Sequence, residues 1–328
     1  MNTLHPYAAL TPVLILDAVE SLGLRCDGHL LALNSYENRV YQVGMDEGTP
    51  LVAKFYRPQR WSDAQILEEH GFAAELLAEE IPVVAPLVFD GETLLHWQGY
   101  RFALFPRRGG RAPELEDPQV LQWLGRFLGR IHLVGAAQDF VVRPTLDSQS
   151  FGYQALARIL ACPQLPAHLA PRMEAVARGV LELVDAAFAT LPDLRWLRSH
   201  GDCHAGNVMW TPDGPHFVDL DDSRMAPAVQ DLWMLLSGER ELQASQLAEL
   251  LAGYEDFAEF DYRELRLIEP LRTLRLLHYS AWLAARWDDP AFPAAFPWFG
   301  SEQYWLSRIA ELQGQAEAMR EPPLFAMP

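Results

Sequence analysis

The chain has 328 residues, 50% apolar and 21% charged, a balance that excludes a disordered or fibrous chain and leaves room for two lobes with their own cores. Its formal net charge of −18 excludes the basic footprint of a nucleic-acid binder. No stretch approaches about 18 uninterrupted apolar residues, and the start MNTLHPYAAL lacks the basic and long apolar segments of a secretory signal. The expectation is therefore a cytoplasmic protein without membrane contact, and three widely spaced cysteines, Cys26, Cys162 and Cys203, suit a reducing compartment.

In chain order, Pro12 to Leu22 carries an amphipathic helical pattern. Residues 31–43, LALNSYENRVYQV, then read as strand, polar turn and strand. Asn34, Ser35 and Asn38 are small or polar enough to let backbone N–H groups and a hydroxyl approach phosphates, although the turn has no Gly-x-Gly-x-x-Gly. A third strand is expected at Thr49 to Tyr56. Its Val52-Ala53-Lys54 resembles the Val-Ala-Ile-Lys strand whose lysine holds the α- and β-phosphates of a nucleotide. Lys54 is also the one lysine among 26 basic residues. Where only a surface cation is needed the chain uses arginine, so a retained compact ammonium is a candidate for chemistry.

Ser62 with Gln65 forms a capping box that opens a helix running to about Glu79, before Pro82. Phosphate-binding logic asks for a glutamate on this helix to pair with the strand lysine. Glu68 and Glu69 both qualify, but neighbours on a helix point about 100° apart. Glu69 shares a stripe with Ile66, Ala73 and Leu76, and is the expected partner. Val83 to Asp90 and Tyr100 to Phe105 are expected as two further strands, completing a five-stranded sheet with one crossover helix. Phe105-Pro106-Arg107-Arg108-Gly109-Gly110-Arg111 then breaks the pattern. The expected division is a first lobe at 1–105, a hinge at 106–111 and a helical second lobe at 112–328. Adenine would meet the backbone of Leu104, Phe105 and Pro106.

Beyond the hinge, helices are expected at Asp117 to His132 and Pro171 to Ala189, with His132 read as a packed core residue. The stretch HGDCHAGNVMWTPDGPHFVDLDD, residues 200–222, follows. Asp202 precedes Asn207 by five residues, the spacing of a loop in which the Asp takes a hydroxyl proton and the Asn holds Mg²⁺. Turn chemistry over Thr211 to Pro215 makes a hairpin that returns Asp219 beside Asn207. Asp219 and Asn207 supply hard oxygen ligands for Mg²⁺. Asp221 is expected on the same strand face as Asp219, within reach of a second ion or a bridging water. His200, Cys203 and His204 invite a zinc reading that no further ligand spacing completes. Asp231, in the first turn of a helix over Val229 to Leu236, is read as a cap holding the catalytic loop. Helices at about Glu241–Ala258 and Glu264–Trp287 follow. Trp282, Trp287, Trp298 and Trp305 with Asp288 and Asp289 could cage a quaternary ammonium, or simply pack.

Lys54, Glu69, Asp202, Asn207 and Asp219 together resemble the kinase-like phosphotransferases that include aminoglycoside and choline kinases. More narrowly, NSYENRVYQ, KFYRP, ILEEH, HGDCHAGN, FVDLDD, PAVQDLWMLL, IEPLR and the DPAFP…FPW tail resemble the bacterial stress response kinase A family from about residue 10 to the end. The resemblance implies an α+β, two-lobed protein-kinase-like fold, with an antiparallel sheet and crossover helix before a mostly helical lobe. It implies an ATP- and Mg²⁺-dependent Ser/Thr protein kinase that autophosphorylates, acts as a monomer on a protein hydroxyl, and protects against oxidative stress and toxin–antitoxin-mediated death. Carried over, Asp202 is the proton acceptor, Asn207 and Asp219 hold the metal with Asp219 also catalytic, Ser35 touches ATP and Lys54 orients its phosphates. Asp-Leu-Asp stands where protein kinases have Asp-Phe-Gly, and no Ala-Pro-Glu segment marks an activation loop.

The same machinery would serve a small-molecule kinase acting on choline, homoserine or an aminoglycoside. A nucleotide-binding adaptor without turnover is the alternative outside catalysis. Cys203, beside Asp202, is open to a redox role that its thiolate fraction would decide.

Overall fold

A computed structural model describes residues 6–324. In chain order its first part contains α1 (Pro12–Glu20), β1 (Cys26–Ala32), β2 (Arg39–Met45), β3 (Leu51–Phe55), α2 (Asp63–Ala78), β4 (Leu95–Trp97) and β5 (Tyr100–Pro106). Next come α3 (Pro118–Gly135), α4 (Gln154–Leu160), α5 (Ala170–Ala189), β6 (Leu197–Ser199), β7 (Val208–Thr211), β8 (Gly214–Phe217) and β9 (Arg224–Ala226). The remainder is α6 (Val229–Trp233), α7 (Arg240–Tyr254), α8 (Ile268–Ala285), α9 (Ala291–Ala295) and α10 (Glu302–Ala318). No helix among the described residues is long and apolar enough to cross a membrane.

The chain divides into two compact units. The first comprises the described residues of Met1–Glu114 with Phe140–Arg143 and Asp202–Ser223. Its antiparallel sheet has the order β1-β2-β3-β5-β4. Alternation sends Val43, Ala53, Phe55, Phe102 and Leu104 to one face, where they pack with Ile15, Ala18 and Val19 of α1. Lys54, one residue out of step with Ala53 and Phe55, faces the other way. The capping box of Ser62 and Gln65 starts α2, whose Ile66, Glu69, Phe72, Ala73 and Leu76 are buried at helical spacing.

The expected strand at Val83–Asp90 does not form. Pro82 and Pro86 lack N–H donors, while Val84 N donates to Phe217 O at 2.9 Å and Leu87 N to Leu104 O at 2.7 Å, so this stretch bonds outward without a ladder. The fifth strand is the short β4. Gln98 and Gly99, at φ 46° and 85°, make the two-residue turn that joins it to β5.

The second unit comprises Leu115–Asp139, Pro144–Gly201 and the described residues of Arg224–Pro328. It is mostly helical, with β6 and β9 as a small antiparallel pair. A methyl group added at Gly125 of α3 would sit 2.0 Å from Leu250 O of α7, and one at Gly253 of α7 would sit 2.0 Å from Gln122 O of α3. These glycines let the two helix backbones approach closely. The expected helix at Glu264–Trp287 begins as a 3-10 turn over Tyr262–Leu267 before α8, and α6 stops at Trp233 instead of Leu236. Trp282 packs on Phe292 and Phe296, Trp287 on Phe299, and Trp305 on Phe299 with its indole N–H donated to Gln164 O at 2.7 Å. The tryptophans serve packing, with Trp287 and Trp305 sharing Phe299 and Trp282 and Trp298 sharing Phe296.

Candidate active site

Lys54 lies on β3, the middle strand of the sheet, with Val40 of β2 and Ala103 of β5 as its neighbours across it. Its side chain is 7% exposed, and Nζ stands 2.9 Å from Asp219 Oδ1, 3.1 Å from Asp221 Oδ1 and 3.9 Å from Glu69 Oε1. Burial alone would lower the ammonium's pKa, but Asp219, Asp221 and Glu69 outweigh it and hold the pKa well above the ordinary lysine range. The helical stripe of α2 turns Glu69 inward to this cation. Burial pushes the Glu69 carboxyl up to about 7 against the pull of Lys54. Glu68 faces elsewhere and accepts the backbone N–H groups of Val141, Val142 and Arg143.

Asp202 begins a loop whose 3-10 turn, Ala205–Asn207, leads into β7. Asn207 Nδ2 donates to Asp202 O at 2.9 Å, and His204 Nε2 stands 3.6 Å from Asp202 Oδ2. The amide hydrogens of Asn207 are thereby turned towards the loop, and its side-chain oxygen is the atom that could hold a hard cation. The β7–β8 hairpin returns the chain as the sequence predicts, with Val218 N donating to Asn207 O at 3.0 Å. Cys203 is fully buried.

Asp219 departs from the strand expected for it. Its φ of 60° and ψ of 62° are left-handed, and it precedes a 3-10 turn at Leu220–Asp222. Aspartate tolerates this region better than most residues. The two carboxylates expected on one strand face both still reach Lys54, but the turn gives them different surroundings. Asp219 has a side chain 52% exposed, whereas Asp221 is buried at 4%. Asp221 Oδ2 pairs with Arg60 Nη1 and accepts from Asn38 Nδ2 at 3.1 Å. Its Oδ1 is within ion-pair range of Lys54 without the alignment of a hydrogen bond. Burial alone would raise the Asp221 pKa, yet Arg60 and Lys54 hold it below the usual carboxylate range.

Two arginines absent from the sequence reading organise this region. Arg60 also reaches Asp222 Oδ1 at 2.8 Å, and Arg143 donates to Ser223 O at 2.6 Å, to Gln65 O at 2.9 Å and to Asp221 O. Both guanidiniums lie over the Trp61 ring, at 5.1 and 4.6 Å. No local pattern distinguishes these arginines from the chain's many others. Asn38, read as a phosphate-approaching residue, is instead 3% exposed and committed to Arg57 N and Asp221.

In the second unit, buried Asp231 accepts from His200 N and Gly201 N, both at 2.8 Å. These are the two residues before Asp202 in the chain, so the capping role expected for Asp231 is present. Its Oδ2 also meets His132 Nε2 at 3.1 Å, while His132 Nδ1 meets Tyr254 OH at 3.0 Å. His132 is thus the packed core histidine expected.

A cavity of about 410 Å³ in the first unit is lined by Ser35, Lys54, Glu69, Asn207 and Asp219 among its polar residues. Val40, Val52, Phe105, Pro106 and Met209 are among the residues of its apolar wall. Of the three residues expected beside adenine, Phe105 and Pro106 line this cavity. Leu104 is buried in the sheet, with its carbonyl accepting from Leu87 N. The arrangement offers an apolar slot leading to a buried cation and to the Asn and Asp oxygens that suit a hard divalent ion.

The family model described as "Phosphotransferase enzyme family" matches residues 29–268. The chain is 47% identical over 328 residues to Stress response kinase A of Escherichia coli K12, covering 100% of this chain and 99% of that protein. It is 44% identical over 322 residues to Serine/threonine protein kinase RdoA of Salmonella typhimurium, covering 98% and 97%. Among solved structures, amicoumacin kinase hAmiN in complex with AMP-PNP, Ca²⁺ and Ami is similar with a TM-score of 0.71 and 19% identity over 94% of each chain. That similarity establishes a protein-kinase-like phosphotransferase fold.

Proposed function

Because the chain belongs to the phosphotransferase enzyme family and, within it, to the stress response kinase A family, it is a kinase, and we propose that it transfers phosphate from ATP, with Mg²⁺, to Ser/Thr hydroxyls of proteins, itself included. The observation that carries this reading is the cavity in which a buried lysine, an asparagine and a left-handed aspartate meet at the end of an apolar slot. AMP-PNP and Ca²⁺ in the amicoumacin kinase structure support nucleotide and divalent-metal use on this fold. We further propose a cytoplasmic role in protection from oxidative stress and toxin–antitoxin-mediated death, of which the relatives' name supports the stress response alone.

In this reading Asn207 and Asp219 would hold the metal, whose charge would neutralise the phosphates. Lys54 orients the phosphates from the buried side, and Ser35 contributes its hydroxyl from the covering turn. Glu69 keeps Lys54 from swinging away. Asp202 orients the acceptor hydroxyl and takes its proton as the phosphorus–oxygen bond to that hydroxyl forms. Catalysis then consists of placement and charge neutralisation, with no covalent intermediate on the protein.

The test is transfer of labelled γ-phosphate to a generic Ser/Thr protein and to the enzyme, with Asp202→Asn alongside. Label on Ser or Thr that disappears in Asp202→Asn, while ATP binding persists, is expected. Unchanged turnover by Asp202→Asn would sink the assignment. The similarity to amicoumacin kinase favours a second reading, a small-molecule acceptor. Label absent from protein but present on small amino alcohols or aminoglycosides would decide for it.

A further inference from the structure

Asp221 offers a carboxylate 3.1 Å from Lys54 and two residues beyond Asp219, a position that invites its use as a second metal ligand. Its partners argue otherwise. One oxygen carries both the Arg60 guanidinium and the Asn38 amide, and the other faces Lys54. Its main-chain carbonyl is bound by Arg143. To reach a metal ion, the side chain would leave a buried arginine without its counter-charge, a costly arrangement in a dry site. The position of Asp221 is therefore set by these four residues.

The same contacts run to the nucleotide-covering turn. Asn38 closes that turn, receiving Arg57 N on its oxygen at 3.1 Å and giving its N–H to Asp221. Glu37, next to it, stands 3.1 Å from Arg57 and 3.8 Å from Arg60. Arg60 in turn holds Asp221 and Asp222. Residues 183 positions apart in sequence are thus joined by one buried hydrogen bond, with arginines closing the ring on either side.

We propose that Asp221 is a latch that ties the nucleotide-covering turn to the exit of the Asp219 hairpin, with Arg60 and Asn38 as its catches, and that it is a positioning residue and not a metal ligand. The proposal deepens the nucleotide-site reading above and rests on it for its functional consequence. The latch fixes Ser35, three residues before Asn38, relative to Asp219, two residues before Asp221. Weakening it loosens the grip on the nucleotide without removing any metal-binding oxygen.

The experiment is amide hydrogen exchange over residues 33–40 in the full chain, with and without Mg·ATP, for the unaltered protein, Asn38→Ala and Asp221→Asn, together with the KM for ATP and the Mg²⁺ concentration for half-maximal transfer. Without nucleotide, both substitutions are expected to speed exchange in the turn. For Asn38→Ala, the KM for ATP should rise about five-fold, the loss of one ordinary hydrogen bond, with unchanged Mg²⁺ dependence. Unaltered exchange in both variants would overturn the latch, as would a large shift in Mg²⁺ dependence for Asp221→Asn with KM for ATP unmoved. Asn38→Ala keeps the test valid if Asp221→Asn fails to fold. Loosening in the variants with no Mg·ATP protection in the unaltered protein would uphold the latch and overturn the nucleotide reading instead.

Discussion

At position 54 a compact cation meets three carboxylates in a slot that leaves it 7% exposed. An arginine keeps the charge but spreads it over a planar fork that cannot point one nitrogen at all three groups and still face a phosphate. Lys54→Arg is therefore expected to lower phosphoryl transfer on the order of 100-fold, the size seen when one preorganised electrostatic donor is lost, with circular dichroism unchanged. An active Arg variant would mean that the rarity of lysine in this chain is unrelated to its chemistry. Asp219 permits a similarly clean substitution. Asparagine also tolerates left-handed backbone, so Asp219→Asn removes charge without forcing the turn at φ 60° to move. Titration of Mg·ATP against Asp219→Asn should show weakened binding and lost transfer, with the melting temperature little altered. Tight binding with full transfer would remove Asp219 from the metal site.

At the scale of elements, α2 delivers Glu69 to Lys54 and Glu68 to the backbone at 141–143. Its start is fixed by Ser62 and Gln65, each accepting from the other's backbone N–H. Ser62→Ala should cost about 1 kcal/mol, read as a lowered urea midpoint at unchanged slope. A null result would mean tertiary contacts alone set the start of the helix. This element was legible because its cap and stripe are local patterns, as were β2, β3 and the β7–β8 hairpin. Legibility fails where the determining contact is remote. Arg60 is fixed by a partner 161 residues away, and in a chain with 25 arginines nothing nearby marks it. The short strand β4 was hidden because a Gln-Gly turn gives a weaker hairpin signal than Asn-Gly, and because the apolar run at Val83–Asp90 looked more like a strand. Spacing brought Asp219 and Asn207 to one cavity, while the left-handed backbone at Asp219 breaks the strand alternation that local pattern implied for Asp221.

At the scale of the whole molecule, the excess of 44 acidic over 26 basic residues makes buried carboxylates costly to ionise, and this couples stability to pH. Glu264 in the second unit is 3% exposed, and burial lifts its pKa from 4.5 to about 7, although Val229 N donates to it at 2.9 Å. A carboxyl raised in the folded state binds its proton more tightly there than in the unfolded chain. Its contribution to stability is complete below about pH 4.5 and is lost as pH rises through about 7. The displacement corresponds to roughly 3 kcal/mol. Glu69 acts in the same direction, as does general charge repulsion, so the slope of the unaltered protein alone would not identify Glu264. Glu264→Gln isolates it, because the amide keeps an acceptor for Val229 N and cannot ionise. Urea unfolding of both proteins between pH 5 and 8 should show the Gln variant falling less steeply and gaining on the unaltered chain by a few kcal/mol at the alkaline end. Parallel curves would mean that Glu264 is already ionised at pH 5 in the folded protein, with its charge met by the backbone donor and not suppressed by burial.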